Sequence, residues 1–228
     1  MATQALIFDA DDTLWEDNIH FESAFEEFVG LLAHSTMSAT QVRAAFLEIA
    51  VATIRGRGYG AESFGLSLRR CYELLCERRP SGADFERIAA LAASVSRRPV
   101  TLLPGVEETL GRLATRHDLT LMTKGSPEDQ RHKLEQSGLG RYFRHAAVVP
   151  EKDPAAYRGL VRRLSLDPPR TWMVGNSPRS DVNAALAAGL NAVYIPHAGT
   201  WHFEMQPLAD GPGRLLRLER FVELTLHF

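Results

Sequence analysis

A chain of 228 residues with 45% hydrophobic and 24% charged side chains has enough apolar material for a sizeable core, as one domain or as a domain with a modest insert. Its formal net charge of −2, with 26 basic and 28 acidic residues interspersed, sets up no long-range field for nucleic acid or an anionic membrane, so neither is expected as a partner. The first apolar run, Leu6 to Phe8, is cut off by Asp9 before it can form a signal peptide, and no run approaches the roughly 20 residues of a membrane helix, so the expected compartment is the cytoplasm.

Leu6-Ile7-Phe8 followed by Asp9, Asp11 and Asp12 reads as a buried strand of a parallel sheet that ends abruptly in carboxylates. Active sites of open α/β sheets lie beyond the carboxyl ends of such strands. Asp9 and Asp11 are two residues apart, so both can point into that crevice if the chain relaxes from strict pleating after Asp9. Two converging carboxylates can divide labour, one as ionised nucleophile or metal ligand, the other as proton carrier. The same residues would also suit a plain helix cap.

From Glu16 to about Arg98 the periodicity is helical. Phe21, Phe25, Phe28, Val29 and Leu32 form one stripe; Val42, Ala45, Phe46, Ile49 and Ile54 a second; Phe64, Leu68, Cys71, Leu74 and Leu75 a third; Phe85, Ile88, Leu91, Ala92 and Val95 a fourth. Helix stops are expected at Ser35 to Ser38, at the glycine-rich stretch Arg55 to Gly60, and at Arg79 to Gly82. This predicts a small helical bundle inserted after the first strand, residues 17–98, between core segments 1–16 and 99–228. Cys71 and Cys76, five apart in a helical pattern, suit neither a disulfide nor a shared metal and are expected as free thiols.

After Pro99 helix and strand alternate. A helix is expected from about Leu102 to Arg116, a strand over Leu119 to Met122, and a helix opened by Ser126 and Pro127. Strands then follow at Ala146 to Val149, Trp172 to Val174 and Ala192 to Ile195, with helices opened at Asp153-Pro154 and after Gly175 to Asp181, the latter running to Gly189. Leu215 to Phe228 reads as a short strand plus helix. The alternation calls for an α/β fold, a doubly wound parallel sheet with right-handed crossovers.

Three strand ends carry polar groups suited to phosphate. Thr123, Lys124 and Gly125 offer a hydroxyl, an ammonium and an amide at a helix N-terminus, although a capped turn would look the same. Lys152 could neutralise a phosphoryl group and a carboxylate together, or be merely solvated. Gly175-Asn176 through Asp181 offers oxygen ligands, or an ordinary helix opening.

In this order the positions resemble the four motifs of the haloacid dehalogenase-like (HAD) superfamily: Asp9, Asp11 and Thr13 the first, Thr123 the second, Lys152 the third, Asn176 with Asp181 the fourth. The fourth motif commonly has an acidic residue where this chain has Asn176, which removes one negative charge from the metal site. The resemblance implies a phosphatase-branch enzyme whose inserted helices form a cap restricting it to small substrates. It further implies a Mg²⁺-dependent phosphomonoesterase acting on a small phosphorylated metabolite, with Asp9 as nucleophile, Asp11 as acid and base, Thr123 and Lys152 holding phosphoryl oxygens, and Mg²⁺ among Asp9, the Asp11 carbonyl, Asn176 and Asp181. Thr13, Lys124 and Gly125, together with Arg55, Arg57 and Tyr59 of the glycine-rich stretch, are the expected substrate-binding groups. A phosphomutase or a dehalogenase of the same superfamily and a non-catalytic phosphate-binding protein are the alternatives; a receiver module fails on motif order and on the helical insert. His197, Trp201 and His202 lie beyond the last clear strand, where they could line the same mouth.

Overall fold

The computed structural model of the chain describes residues 3–228. Two compact units are present, one made of the chain up to Asn18 together with Val100–Phe228, the other of Ile19–Pro99. The first holds six parallel strands, β1 (Ala5–Phe8), β2 (Asp118–Lys124), β3 (His145–Val149), β4 (Thr171–Gly175), β5 (Asn191–Tyr194) and β6 (Leu215–Arg217), in the order β3-β2-β1-β4-β5-β6.

Strand alternation builds a core on each face of this sheet. Leu6 and Phe8 join Leu119, Leu121, Trp172 and Val174 on one face, covered by Val106, Leu110 and Leu113 of an amphipathic helix and by Phe221, Leu224 and Phe228. Ile7, Met122 and Met173 face the other way, under Tyr157, Leu160, Ala184 and Ala185. With β1 central and Phe8 in register with Leu121 and Val174, the carboxyl ends of β1, β2 and β4 finish side by side. The crevice there is the switch point where successive connections leave for opposite faces.

Helices α1 (Asn18–Leu32), α2 (Ala39–Arg57), α3 (Ala61–Leu75) and α4 (Gly82–Ser96) make up the inserted segment. Of the stripes read from sequence, Phe25, Phe28, Val42, Phe46, Leu68, Cys71 and Ile88 are buried in its core, joined by Tyr72, whereas Leu74 turns to solvent. Capping boxes at Ser38 with Gln41 and at Ser81 with Asp84 start α2 and α4. Cys71 is buried and Cys76 half-buried, both as free thiols.

Four elements differ from the sequence reading. Helix α2 continues through Arg55 and Arg57 and stops at Gly58, whose φ of 85° only glycine adopts readily, so the two arginines ride on a helical turn instead of a loop. In the sheet unit, α5 is confined to Val106–Leu113, followed in order by α6 (Pro127–Ser137) and α7 (Pro154–Leu164). The helix expected after β4 opens as a π-helical turn, Pro178–Asn183, before the four residues of α8 (Ala184–Ala187), and the C-terminal segment ends in a 3₁₀ turn, Phe221–Leu226. Among the described residues no helix is long and apolar enough to cross a membrane.

Phe28 is fully buried in the helical core. Phe28→Ala should lower stability by about 3 to 5 kcal/mol, read from the midpoint of urea unfolding.

Candidate active site

The turn after β1 is built by the backbone. The amides of Thr13 and Leu14 donate to the Ala10 carbonyl, and the Asp12 amide to Trp15 O at 2.8 Å. Asp12 takes a left-handed φ of 58°, tolerated by Asp, and its Oδ1 accepts the amides of Asp17 at 2.9 Å and Asn18 at 3.1 Å. Asp9 and Asp11 thereby leave the same strand end in different directions.

Asp9 faces the crevice. Its Oδ1 accepts from Lys152 Nζ at 2.5 Å, and the same ammonium reaches Asp181 Oδ1 at 2.5 Å. All three side chains are nearly sealed from water, at 8%, 2% and 0% exposure for Asp9, Lys152 and Asp181. Asp153 caps α7, with Pro154 in the first turn, and this anchors Lys152 at the strand end. Asp181 is fixed from the π-helical turn, its Oδ2 accepting the Ser177 amide at 2.9 Å while Tyr157 OH donates to Ser180 O at 2.9 Å. A Cβ on Gly175 would lie 2.2 Å from Asp181 Oδ2, so only glycine lets this carboxylate approach. Burial and the nearby Asp181 push Asp9 up to about 7, against the pull of Lys152. Burial alone would lower Lys152, but Asp181 and Asp9 outweigh it and hold its ammonium well above the ordinary lysine value.

The Thr13 hydroxyl lies 3.1 Å from Asp9 Oδ2 and 3.0 Å from Asn176 Oδ1. Asn176 Nδ2 donates to Thr200 Oγ1 at 2.8 Å, which turns the amide oxygen toward Thr13. One hydroxyl proton serves only one of those two oxygens at a time. Two hard oxygen donors therefore converge where negative charge exceeds positive, a donor set that fits Mg²⁺. Asp181 has both oxygens engaged by Lys152 and the Ser177 amide. A separate trio, Asp12, Glu16 and His197, brings ligand atoms within 4.8 Å of one another. There His197 Nδ1 accepts from the Gly199 amide at 3.2 Å and Nε2 lies 3.3 Å from Glu16 Oε2, an ordinary hydrogen-bonded arrangement.

Asp11 turns away from Asp9, toward α6. Its Oδ1 accepts from Trp15 Nε1 at 2.8 Å and from Lys133 Nζ at 2.8 Å, and its Oδ2 from Gln130 Nε2 at 2.7 Å. Burial would raise this carboxyl, but Lys133, Gln130 and Trp15 hold it below the ordinary carboxylate value. Lys133 also contacts Asp17 Oδ1 at 2.5 Å, and burial together with Asp11 pushes Asp17 up to about 7.

The remaining expected residues are dispersed. Thr123 is buried at the end of β2, its hydroxyl 3.3 Å from Lys124 O. Gly125 has φ 128° and Gln130 packs over it, where a Cβ would sit 3.1 Å from Nε2. Lys124 Nζ is directed to Glu204 Oε1 at 2.7 Å and Ser180 Oγ at 2.9 Å, so its charge is spent between strand ends. In the helical unit Arg55 and Arg57 are exposed, Arg57 lying 3.6 Å from Glu62, and Tyr59 is half-buried beyond α2. Thr200 brings the segment after β5 to Asn176; Trp201 is half-buried and His202 exposed.

The sequence matches the haloacid dehalogenase-like hydrolases over residues 3–189. The chain belongs to that family. A haloacid dehalogenase-like family hydrolase from Xanthomonas campestris is 31% identical, with a TM-score of 0.82 over 99% of this chain and 94% of that one. Phosphoserine phosphatase of Thermus thermophilus is 32% identical over 123 residues, 50% of this chain and 49% of the relative. L-2-haloacid dehalogenase from Xanthobacter autotrophicus shares the fold, with a TM-score of 0.65 at 16% identity over 97% of this chain and 96% of that one. The chain spans about half the length of the curated relatives it matches.

Sequence reasoning missed four polar residues of this HAD-like hydrolase: Asp17, Gln130, Lys133 and Glu204. Helix α6 carries one aliphatic residue, Leu134, among eleven, and a docked helix without an apolar stripe signals polar packing. Glu204 carries no such signal, because it closes a 3₁₀ turn of three residues, His202–Glu204, between exposed Phe203 and Met205. It accepts from Lys124, Ser177 Oγ at 2.6 Å, Ser180 Oγ at 2.5 Å and Arg179 at 3.1 Å, and so ties the π-helical turn to the end of β2.

Burial would raise Glu204, but Lys124 and the two serine hydroxyls outweigh it and hold the carboxyl down to about 2, against an ordinary 4.5. A depressed carboxyl stabilises the fold fully above its unfolded value and loses that contribution as pH falls from about 4.5 toward 2. Glu204→Gln should therefore cost about 3 kcal/mol at pH 7, where it removes the charge that half-buried Lys124 and Arg179 share. Urea unfolding should show the gap to wild type closing across that acidic window.

Proposed function

We propose that this chain is a Mg²⁺-dependent phosphomonoesterase that hydrolyses a small phosphorylated metabolite through an aspartyl-phosphate on Asp9. The observation that carries the reading is the pair of carboxylates at one strand end, Asp9 paired with buried Lys152 and Asp11 two residues on in a separate hydrogen-bonded setting. The phosphoserine phosphatase relative supports the substrate class. A dehalogenase needs the nucleophile but has no use for a proton donor at Asp11, which favours the phosphatase over that alternative.

Asp9 attacks phosphorus as the ester P–O bond breaks; Asp11, ionised while Lys133 holds it, takes up a proton from solvent on leaving that ammonium and gives it to the leaving alkoxide. Asp11 then removes a proton from water, whose oxygen attacks the same phosphorus, releasing inorganic phosphate and the free Asp9 carboxylate. Lys152 and Thr123 hold phosphoryl oxygens, with the Gly125 amide at the N-terminus of α6. Asp9, Asn176 and the Asp11 carbonyl would hold Mg²⁺, with Asp181 supplying charge from behind Lys152. When bound, the ion offsets the charge of the phosphoryl oxygens that would otherwise repel an anionic nucleophile. Arg55, Arg57 and Tyr59 are the proposed substrate-reading groups of the helical unit, supported by the exposure of both guanidinium groups.

Asp9→Asn should cut Mg²⁺-dependent turnover of p-nitrophenyl phosphate more than a hundredfold and abolish trapping by beryllium fluoride; activity above a hundredth of wild type would exclude covalent catalysis by Asp9. Asp11→Asn should slow alkyl phosphates about 10² to 10⁴-fold and p-nitrophenyl phosphate much less, since a good leaving group needs little protonation. Equal losses on both substrates in steady-state kinetics would count against Asp11 as the acid.

A further inference from the structure

The mechanism above uses neither Lys133 nor Gln130, although both are directed at Asp11 from one face of α6, three residues apart. Among the described residues, the hydrogen bonds at the Asp11 carboxylate come from Trp15, Gln130 and Lys133. The indole of Trp15 is wholly buried, so this donor is fixed in place. Gln130 is fixed as well, since its Nε2 also donates to Lys124 O at 2.9 Å and its side chain lies over Gly125. Its Oε1 is buried with no hydrogen-bond partner, so the amide is held by what its nitrogen donates to.

Lys133 is shared. Its ammonium stands between Asp11 at 2.8 Å and Asp17 at 2.5 Å, one positive charge for two carboxylates. If Asp11 swings toward a leaving group, Asp17 remains to hold the ammonium, so the movement strands no buried cation. Asp17 is tied in turn to the β1 turn through its amide and Asp12 Oδ1.

We propose that Lys133 and Gln130 are positioning residues for Asp11: together with Trp15 they park its carboxylate in a defined resting site, and Asp17 retains Lys133 when Asp11 leaves it to serve the substrate. The proposal rests on the phosphatase reading for its kinetic consequence, but the parking site is testable without turnover. Lys133→Met keeps the apolar stem and removes the charge, and Gln130→Ala removes the amide donor.

In steady-state kinetics of the full chain with Mg²⁺, each substitution should lower kcat/KM for an alkyl phosphate at least tenfold more than for p-nitrophenyl phosphate, with the loss in kcat and KM little changed. Independently, the Trp15 indole N–H resonance, assigned with Trp172→Phe and Trp201→Phe variants, should move in both variants because its acceptor has shifted. A merely structural role would depress both substrates alike; that result, or an indole signal unmoved in both variants, overturns the proposal. A wild-type protein without phosphatase activity would sink the phosphatase reading instead, and the indole resonance alone would then decide whether Lys133 and Gln130 hold Asp11.

Discussion

Lys152 sits between Asp9 and Asp181 with all three side chains withdrawn from water, and most of the site's geometry answers to that arrangement. A buried charge is tolerable only when it is paired and its remaining hydrogen-bonding capacity is met. The ammonium satisfies one oxygen of each aspartate, Thr13 meets the other oxygen of Asp9, and the Ser177 amide meets that of Asp181. The π-helical turn, the bare Cα of Gly175 and the capped start of α7 are the backbone devices that bring these groups within reach. Two negative charges against one positive leave the cluster short of a cation, and the high-lying Asp9 carboxyl reflects first its burial and then that shortfall.

Polar organisation continues outward in two separate networks. One joins Asp11, Lys133 and Asp17 along α6; the other joins Lys124, Glu204, Arg179 and the serines of the π-helical turn. Each has a lysine that follows a strand or rides a helix beside the crevice, and each lysine is claimed by carboxylates of the protein. Lys152 is thus the cation left facing Asp9, which is why Lys124, adjacent in sequence to Thr123, does a different job from the one its position suggests.

The fold was largely legible because its signals are local. Apolar runs stop at Asp9, Thr123, Pro150 and Gly175, stripes of period 3.6 mark the four inserted helices, and Ser126 and Asp153 announce helix starts that the structure contains. The direction of side chains at the site was not legible. Spacing lets Asp9 and Asp11 converge, yet Asp11 turns to α6, because Trp15, Gln130 and Lys133 offer three donors there and partners 119 and 122 residues away leave no periodic trace. Arg55 and Arg57 read as loop because of their flanking glycines, whereas hydrogen bonding of the preceding turns carries the helix past Gly56. The π-helical opening after Ser177 was hidden because a Ser-Pro start suits an α-helix equally well.

Glu204 lies beyond residue 189, where the match to the family ends, yet it anchors the turn that carries Asp181. The family motifs and the brace that holds the last of them are therefore separable pieces of sequence. Grafting the four motif segments onto another scaffold, or shortening the chain after α8, would leave Lys124 and Arg179 sharing Glu151 without Glu204, and would take from Ser177 and Ser180 the acceptor that fixes the π-helical turn.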